Sequence, residues 1–243
     1  MIAHWVCESK YTVVFTGAGM STESGVPDFR SSTGLWHGKD PQTLASTVAM
    51  NLHRKEFVDF YHMRMKALET VRPHHGYEVL ELLTEQNLIK SIITQNTDGL
   101  HEEAGHRNVI PLHGSIRKLH CDACGTNYST DYYFKNKLYC TCGGFIRPSV
   151  LLFGEPLDSD ISTKAVLEAQ RSDLFIVLGS SLVVSPANSL PVIAKENGAK
   201  LVIVNQEPTH LDHVADMVIH DRKVGDVLQE VKDQLYKMTW GQD

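Results

Sequence analysis

The sequence lacks an apolar run long enough to cross a bilayer, and its first residues lack the basic start and long apolar core of a signal peptide. It also lacks an excess of positive charge, because 23 lysine and arginine residues stand against 29 aspartate and glutamate residues. The net charge of −6 argues against a broad basic surface for nucleic acid or anionic lipid. These absences predict a cytoplasmic protein that binds neither membranes nor nucleic acid directly.

Cysteine is scarce, and its distribution argues against a disulfide framework. Cys7 stands alone, whereas the other four form Cys121-x-x-Cys124 and, after fifteen residues, Cys140-x-Cys142. Four thiolates complete the tetrahedral shell of Zn²⁺ and leave no position for a catalytic water, so we predict one structural zinc ion. The second pair is tighter than the usual C-x-x-C spacing, and four buried thiols without metal are the alternative.

Short apolar runs rich in β-branched residues alternate with amphipathic segments along most of the chain. The runs that predict strands are 11–15, 89–94, 109–112, 174–178, 201–204 and 217–219. The segments that predict helices are 55–68, 76–85, 161–170, 187–197 and 224–236. Continuous apolar strands require a sheet that is covered on both faces, and strand–helix alternation favours parallel pairing. We therefore expect an α/β fold with a Rossmann-like, doubly wound parallel sheet.

Two stretches depart from this alternation. Residues 31–72 contain no strand–helix repeat, and residues 119–147 carry the four clustered cysteines. We predict that together they form a small lobe, a helical excursion plus a zinc module. The Rossmann-like domain would then consist of residues 1–30, 73–118 and 148–243.

Small and polar residues follow five of the predicted strands. Ligands of a doubly wound sheet bind beyond the carboxyl ends of its strands, so these residues are expected to converge on one crevice. They are Gly17-Ala18-Gly19, Gln95-Asn96-Thr97-Asp98, His113-Gly114-Ser115, Gly179-Ser180-Ser181 and Asn205-Gln206. The glycine turn suits a close approach of backbone N–H groups to a phosphate, although a plain tight turn has the same composition.

Three residues at these strand ends are candidates for chemistry. His113 directly follows a strand, where an imidazole can act as a general base near neutral pH. Asn96 and Asp98 offer an amide and a carboxylate to a ligand amide or to ribose hydroxyls. The alternatives are a purely structural histidine, one of thirteen in the chain, and ordinary turn chemistry for Asn-x-Asp-Gly.

Six blocks of the sequence resemble the sirtuin family, and they occur in that family's order over about residues 10 to 230. They read GAGMSTESGVPDFR (17–30), TQNTDGLH (94–101), LHG (112–114), RPSVLLFGE (147–155), GSSLVVSPA (179–187) and NQEP (205–208). The resemblance implies a Rossmann-like large domain, a small zinc lobe, and a substrate that threads the cleft between them.

The resemblance also implies which residues bind NAD. Those that would contact the dinucleotide are Gly17, Ala18, Gly19, Thr22, Trp36, Gly179, Ser180, Ser181, Asn205, Gln206 and Val224. Those that would surround the nicotinamide ribose are Asp28, Phe29, Arg30, Gln95, Asn96 and Asp98. His113, Asn96 and Asp98 are the implied catalytic residues.

The implied reaction is the NAD-dependent removal of an acyl group, acetyl by default, from a protein lysine. The acyl oxygen attacks C1′ of the ribose as nicotinamide leaves, and His113 then deprotonates a ribose hydroxyl that attacks the amidate carbon. The products are lysine, nicotinamide and O-acyl-ADP-ribose. The substrate would lie as an extended strand between Gly154-Glu155 and the segment that starts at Val183, with Val150 and Phe153 lining the acyl-lysine channel.

A helical motif bears on the choice of acyl group. Tyr61 and Arg64 resemble the Tyr-x-x-Arg pattern of sirtuins that remove acidic acyl groups, and at this spacing they share a helix face and can bind a carboxylate together. Ala45 falls where that branch keeps a small residue, whereas residues 46–48 depart from it. Desuccinylation or demalonylation is therefore the alternative to deacetylation, and a solvated arginine is the structural alternative.

Three other functions fit parts of the pattern. An NAD-linked dehydrogenase shares the fold and the glycine turn, but the third glycine follows the second by six residues instead of three. ADP-ribosyl transfer to a protein shares the first chemical step. A non-catalytic module that binds zinc and nucleotide leaves the polar groups at the strand ends unexplained.

Overall fold

The computed structural model describes residues 1–29, 34 and 43–239. The strands in these ranges are, in chain order, β1 (Thr12–Thr16), β2 (Ile89–Thr94), β3 (Val109–Pro111), β4 (Gly114–Cys121), β5 (Asn127–Tyr128), β6 (Ile146–Val150), β7 (Leu174–Leu178), β8 (Lys200–Val204) and β9 (Met217–Ile219). Six of them form a parallel sheet in the order β3-β2-β1-β7-β8-β9. The strand order reverses between β1 and β7, as in a doubly wound Rossmann sheet, and the predicted fold class is confirmed.

Helices connect the parallel strands. The α-helices in the described ranges are α1 (Ile2–Glu8), α2 (Thr47–Leu52), α3 (Arg54–Leu68), α4 (His75–Glu85), α5 (Leu100–Glu103), α6 (Asp131–Phe134), α7 (Ser159–Arg171), α8 (Leu190–Glu196) and α9 (Val224–Thr239). The predicted helix at 187–197 divides into a 3-10 turn, Ala187–Ser189, and α8, whose start is suited to Pro191 because proline there costs no hydrogen bond. None of the helices in these ranges combines the length and the apolar character needed to span a membrane.

Successive residues of the buried strands face opposite sides of the large sheet. Val14 packs into an apolar layer with α1, α4 and α9, whereas Val13 and Phe15 pack into a second layer with α7 and α8. Every position of β1 and β7 is buried, as a sheet covered on both faces requires. The faces are thus filled, and the carboxyl ends of the strands remain for ligands.

A third apolar cluster lies in the small lobe. There α2 and α3 pack against a three-stranded antiparallel sheet of order β5-β4-β6, and Phe57, Tyr61 and Tyr133 are among the fully buried side chains. β4 and β6 each run across a predicted domain boundary, at 118 and at 148, because β4 leads from the edge of the large sheet into the lobe and the antiparallel β6 leads back. The boundaries themselves stay a prediction.

Candidate active site

A cavity of about 600 Å³ lies between the carboxyl edge of the large sheet and the small lobe. It brings together most residues that the sequence singled out. Those that line it are Ala18, Gly19, Thr22, Asp28, Phe29, Tyr61, Arg64, Gln95, Asn96, His113, Val150, Phe153, Gly154, Glu155, Gly179, Ser180, Ser181, Val183, Asn205, Gln206 and Val224. Gly17 and Asp98 lie behind the cavity wall, and Arg30 and Trp36 fall outside the described residues.

The glycine turn after β1 packs tightly against the turn after β7. A Cβ atom on Gly19 would lie 2.8 Å from Gly179 Cα, and Gly179 has a φ of +62°. The amides of Gly17 and Gly19 donate to the carbonyls of Leu178 and Gly179, at 3.0 and 2.8 Å. These two N–H groups therefore join the turns to each other, and the glycines permit an approach that side chains would block.

The ring of His113 is oriented by a backbone carbonyl. Its Nδ1 lies 3.1 Å from the carbonyl oxygen of Gln95, which only accepts hydrogen bonds, so Nδ1 carries the proton that it donates. In the neutral ring Nε2 is then the basic nitrogen. His113 is half-buried and lines the cavity, so the tautomer suits a general base.

A buried hydrogen-bond network fixes the side chain of Asn96. The amide nitrogen of Asn96 donates to the Gly17 carbonyl at 2.9 Å and to the Ser21 hydroxyl at 3.0 Å, which turns Oδ1 away from both. The Ser21 hydroxyl donates to Asp98 Oδ2 at 2.7 Å and contacts the Tyr77 hydroxyl at 2.9 Å. Burial and the Asp98 charge raise the pKa of Tyr77 well above its usual value, so the phenol stays neutral. Asp98 does not itself line the cavity. It is connected by the Ser21 hydroxyl to the side chain of Asn96, which does.

A second histidine near the strand ends, His101, is not suited to proton transfer. It is 1% exposed, and its Nε2 lies 3.0 Å from the Thr16 hydroxyl. Burial, and then the neighbouring His106, lower the pKa of His101 to about 3. The ring therefore remains neutral and structural.

Tyr61 and Arg64 lie on α3 at the end of the cavity that faces the small lobe. The Arg64 guanidinium lies 5.2 Å from the Phe29 ring centre and 5.7 Å from that of Phe60, within the range of cation–π contacts. Burial lowers the pKa of Arg64 despite the opposing effect of Tyr61 and Asp98, and burial raises the pKa of Tyr61 to about 12. No carboxylate in the described ranges forms an ion pair with this guanidinium, which stays charged.

The four cysteines converge as predicted. Their Sγ atoms all lie within 4.8 Å of one another, with Cys121 and Cys142 3.5 Å apart and Cys124 and Cys140 3.6 Å apart. Tetrahedral Zn–S bonds of about 2.3 Å place sulfurs about 3.8 Å apart, so the donor set and its spacing fit one Zn²⁺ ion. All four cysteines are free of disulfides.

Two residues with central contacts near the cavity have no role predicted from the sequence. Ser21 belongs to the glycine-turn block, and no pattern in the sequence indicates its central place in the hydrogen-bond network. Arg147 was part of the substrate-strand block, but its pairing with Glu155 depends on a loop that sequence patterns do not resolve.

Comparisons with known proteins agree with this arrangement. A model of the Sir2 family matches residues 17–186. An NAD-dependent protein deacetylase of Halalkalibacterium halodurans is 58% identical over 235 residues, which cover 97% of this chain and 99% of the relative. A solved Sir2 enzyme structure superposes with a TM-score of 0.89 at 40% identity, covering 98% of this chain and 97% of the other. A solved Sir2–p53 peptide–NAD⁺ complex gives 0.87 at 35% identity, with 96% of each chain covered.

The family model spans more than half of the chain, and the relative from Halalkalibacterium halodurans matches nearly all of it. The cavity, the cysteine cluster and the parallel sheet occupy the places expected from the sequence blocks. The chain therefore belongs to the Sir2 family.

Proposed function

We propose that this chain is an NAD-dependent protein lysine deacylase, with deacetylation as its default activity. The observation that carries the proposal is the placement of His113, which is oriented by the Gln95 carbonyl and lines a cavity shared by the glycine turn and the small lobe. One wall of the cavity suits a dinucleotide and the other an extended peptide, so two substrates can meet beside one general base.

NAD fits the half of the cavity that faces the large sheet. That half is lined by Gly19, Thr22, Ser180, Asn205 and Val224, which supply small side chains, hydroxyls and an amide. NAD supplies an activated ribose carbon that accepts the acyl oxygen as nicotinamide leaves. Such a step needs oriented reactants and a site shielded from water more than it needs a strong base.

The residues around that carbon have distinct roles in the proposal. Asn96, with its amide nitrogen held by Gly17 and Ser21, presents Oδ1 to the nicotinamide end, and Asp98 positions it through Ser21. His113 takes the proton from a ribose hydroxyl, so that the hydroxyl oxygen can attack the acyl carbon. The Gln95 carbonyl holds the Nδ1 proton and stabilises the imidazolium that forms.

The acyl-lysine enters from the small-lobe side. Phe153 and Val183, 39% and 59% exposed, stand at the mouth of the cavity, where an extended peptide can add backbone hydrogen bonds. Binding of this kind reads the backbone more than the side chains, so loose sequence preference among acylated proteins is expected. We place the enzyme in the cytoplasm, since a reducing compartment preserves free thiols as metal ligands.

The proposal is tested by incubating the protein with NAD and one peptide in acetylated and unmodified forms. One nicotinamide should be released for each lysine freed, and none with the unmodified peptide. Formation of reduced nicotinamide would indicate a dehydrogenase, and label from NAD on a protein would indicate ADP-ribosyl transfer. Nucleotide binding without any turnover would indicate a non-catalytic module.

A second activity, removal of succinyl or malonyl groups, is favoured by one observation. Arg64 is a charged side chain in the acyl-lysine end of the cavity that has no acidic partner in the described ranges. Tyr61, three residues earlier on α3, lies in the same part of the cavity with Ala45, whose small side chain leaves room for a longer acyl group. The two polar side chains can together hold the terminal carboxylate.

Changing Arg64 to methionine should separate the two activities. Loss of a charge-assisted hydrogen bond costs about 1.5–3 kcal/mol, so kcat/KM for a succinyl-lysine peptide should fall roughly 10- to 100-fold. Turnover of the acetyl-lysine form of the peptide should be retained. Arg72→Met, which removes an exposed arginine, is the control and should alter neither. Equal succinyl turnover in Arg64→Met and the unaltered enzyme would exclude Arg64 from acyl recognition.

A further inference from the structure

Arg147 is buried inside the small lobe. It is 4% exposed, and it is the one lysine or arginine among the described residues that is buried to this degree. Its guanidinium makes a bidentate pair with Glu155, with Nη1–Oε1 at 2.5 Å and Nη2–Oε2 at 3.0 Å. Burial alone would lower the pKa of Arg147, but the hydrogen bond and charge of Glu155 outweigh it, so the pair is ionised. Buried pairs are often no more stabilising than apolar residues of equal volume, so the contacts of this pair are the place to look for a further role.

The pair also holds the backbone of residues 150–155, here called the substrate loop. Arg147 Nη2 donates to the carbonyl of Val150 at 2.8 Å, and Glu155 Oε2 accepts the amide of Leu152 at 2.8 Å. A carbonyl and an amide two residues apart are thereby turned toward the lobe interior. The side chains of Arg147 and Glu155 thus hold the backbone of the substrate loop by hydrogen bonds, in addition to the packing of helices and strands around it.

The other backbone groups of the substrate loop connect the two sides of the cavity. The amide of Leu151 donates to the carbonyl of His113 at 3.0 Å. Phe153 donates to the carbonyl of Ala45 at 2.9 Å and accepts from the amide of Thr47 at 3.1 Å. The loop therefore runs from the general base to the start of α2, and Val150 and Phe153 reach the cavity from it.

We propose that Arg147, acting through Glu155, is a positioning residue that sets the conformation of the substrate loop and so the affinity for the acyl-lysine segment. Arg147 does not line the cavity, whereas Glu155 does, and neither belongs to the half that faces the glycine turn. The pair should therefore affect the peptide and leave the nucleotide unaffected. The proposal rests on the proposed function for the identity of the peptide substrate.

The proposal is tested with Arg147→Lys and Glu155→Gln in the full-length chain. Lysine keeps the charge but cannot make the planar, two-pronged contact, and glutamine keeps an oxygen but loses the charge. The Kd of an acetyl-lysine peptide, measured by fluorescence anisotropy with saturating ADP-ribose, should rise about tenfold in both variants, as expected for one weakened charge-assisted contact. The Kd of ADP-ribose alone, measured by calorimetry, should stay unchanged, and KM for the peptide should rise more than kcat falls.

Asp122→Asn is the matched control. Asp122 is half-exposed, and its Oδ1 lies 3.4 Å from Arg147 Nη1. The substitution therefore removes a negative charge near Arg147 while the bidentate pair with Glu155 remains. Peptide affinity should be retained in this variant.

Unchanged peptide affinity in folded Arg147→Lys and Glu155→Gln would overturn the proposal, and so would an equal loss of affinity for peptide and ADP-ribose. If Arg147→Lys does not fold, the isosteric Glu155→Gln decides the question alone. Failure of the proposed function would instead appear in the unaltered protein, as an absence of both peptide binding and nicotinamide release.

Discussion

Replacing His113 with alanine is expected to lower kcat for deacylation by about 10²- to 10⁴-fold, the usual contribution of a positioned general base. The imidazole is half-buried and oriented by the Gln95 carbonyl, and its removal deletes the proton acceptor without opening the sheet. Zinc content, the thermal midpoint and the affinity for ADP-ribose should change little. Single-turnover measurement of acyl transfer and of nicotinamide release would locate the loss in the step after nicotinamide departs.

His4→Ala is a suitable control, because His4 is an exposed histidine on α1 that does not line the cavity. It should retain full activity. A loss of less than about tenfold in His113→Ala would mean that another group takes the proton, and the mechanism would have to be abandoned. His101 is not such a group, because it is buried and bonded to the Thr16 hydroxyl.

Removal of zinc is expected to have the largest effect on the fold. Structural zinc contributes on the order of 10 kcal/mol to small metal-dependent modules, and the small lobe has two of its four cysteines inside its apolar cluster. Cys124→Ser should therefore bind little zinc, and amide hydrogen exchange should show loss of protection in β4, β5 and β6. Protection in β1, β7 and β8 should persist. The side chains of these strands pack into the apolar layers on the two faces of the large sheet, which are separate from the apolar cluster of the small lobe.

Cys7→Ser provides the control, because Cys7 is an exposed thiol on α1 outside the cluster. Its zinc content, measured with a chromogenic chelator after denaturation, should equal one ion per chain. Full protection of β4 to β6 in zinc-free protein would show that the lobe folds on packing alone, contrary to this account.

Much of the large sheet was predictable from local pattern. The bounds of β2, β7 and β9 equal the predicted runs. Of the three, β7 is buried at every position, and a strand covered on both faces leaves an unbroken apolar run in the sequence. The convergence of polar strand ends also followed, since parallel strands share one carboxyl edge. The identity of the cysteine cluster followed from its spacing and the chemistry of thiolates.

The parts that escaped prediction depend on specific side-chain contacts between elements and within irregular loops. The links of Asp98 to the cavity through Ser21 and Asn96, and of Arg147 to Glu155, join residues on different elements or around an irregular loop. No periodicity reports such contacts. The sequence also did not predict that the amides of Gly17 and Gly19 donate hydrogen bonds to the turn after β7. A glycine turn that packs on another turn has the same composition as one that binds a phosphate.

The hydrogen bond from the Leu151 amide to the His113 carbonyl has a consequence for substrates of different length. Under the proposed function Leu151 belongs to the wall of the acyl pocket and His113 is the general base, so an acyl group that pushes the wall outward would strain the contact between them. Tolerance of larger acyl groups would accordingly be limited by how far the substrate loop and the His113 backbone can shift together.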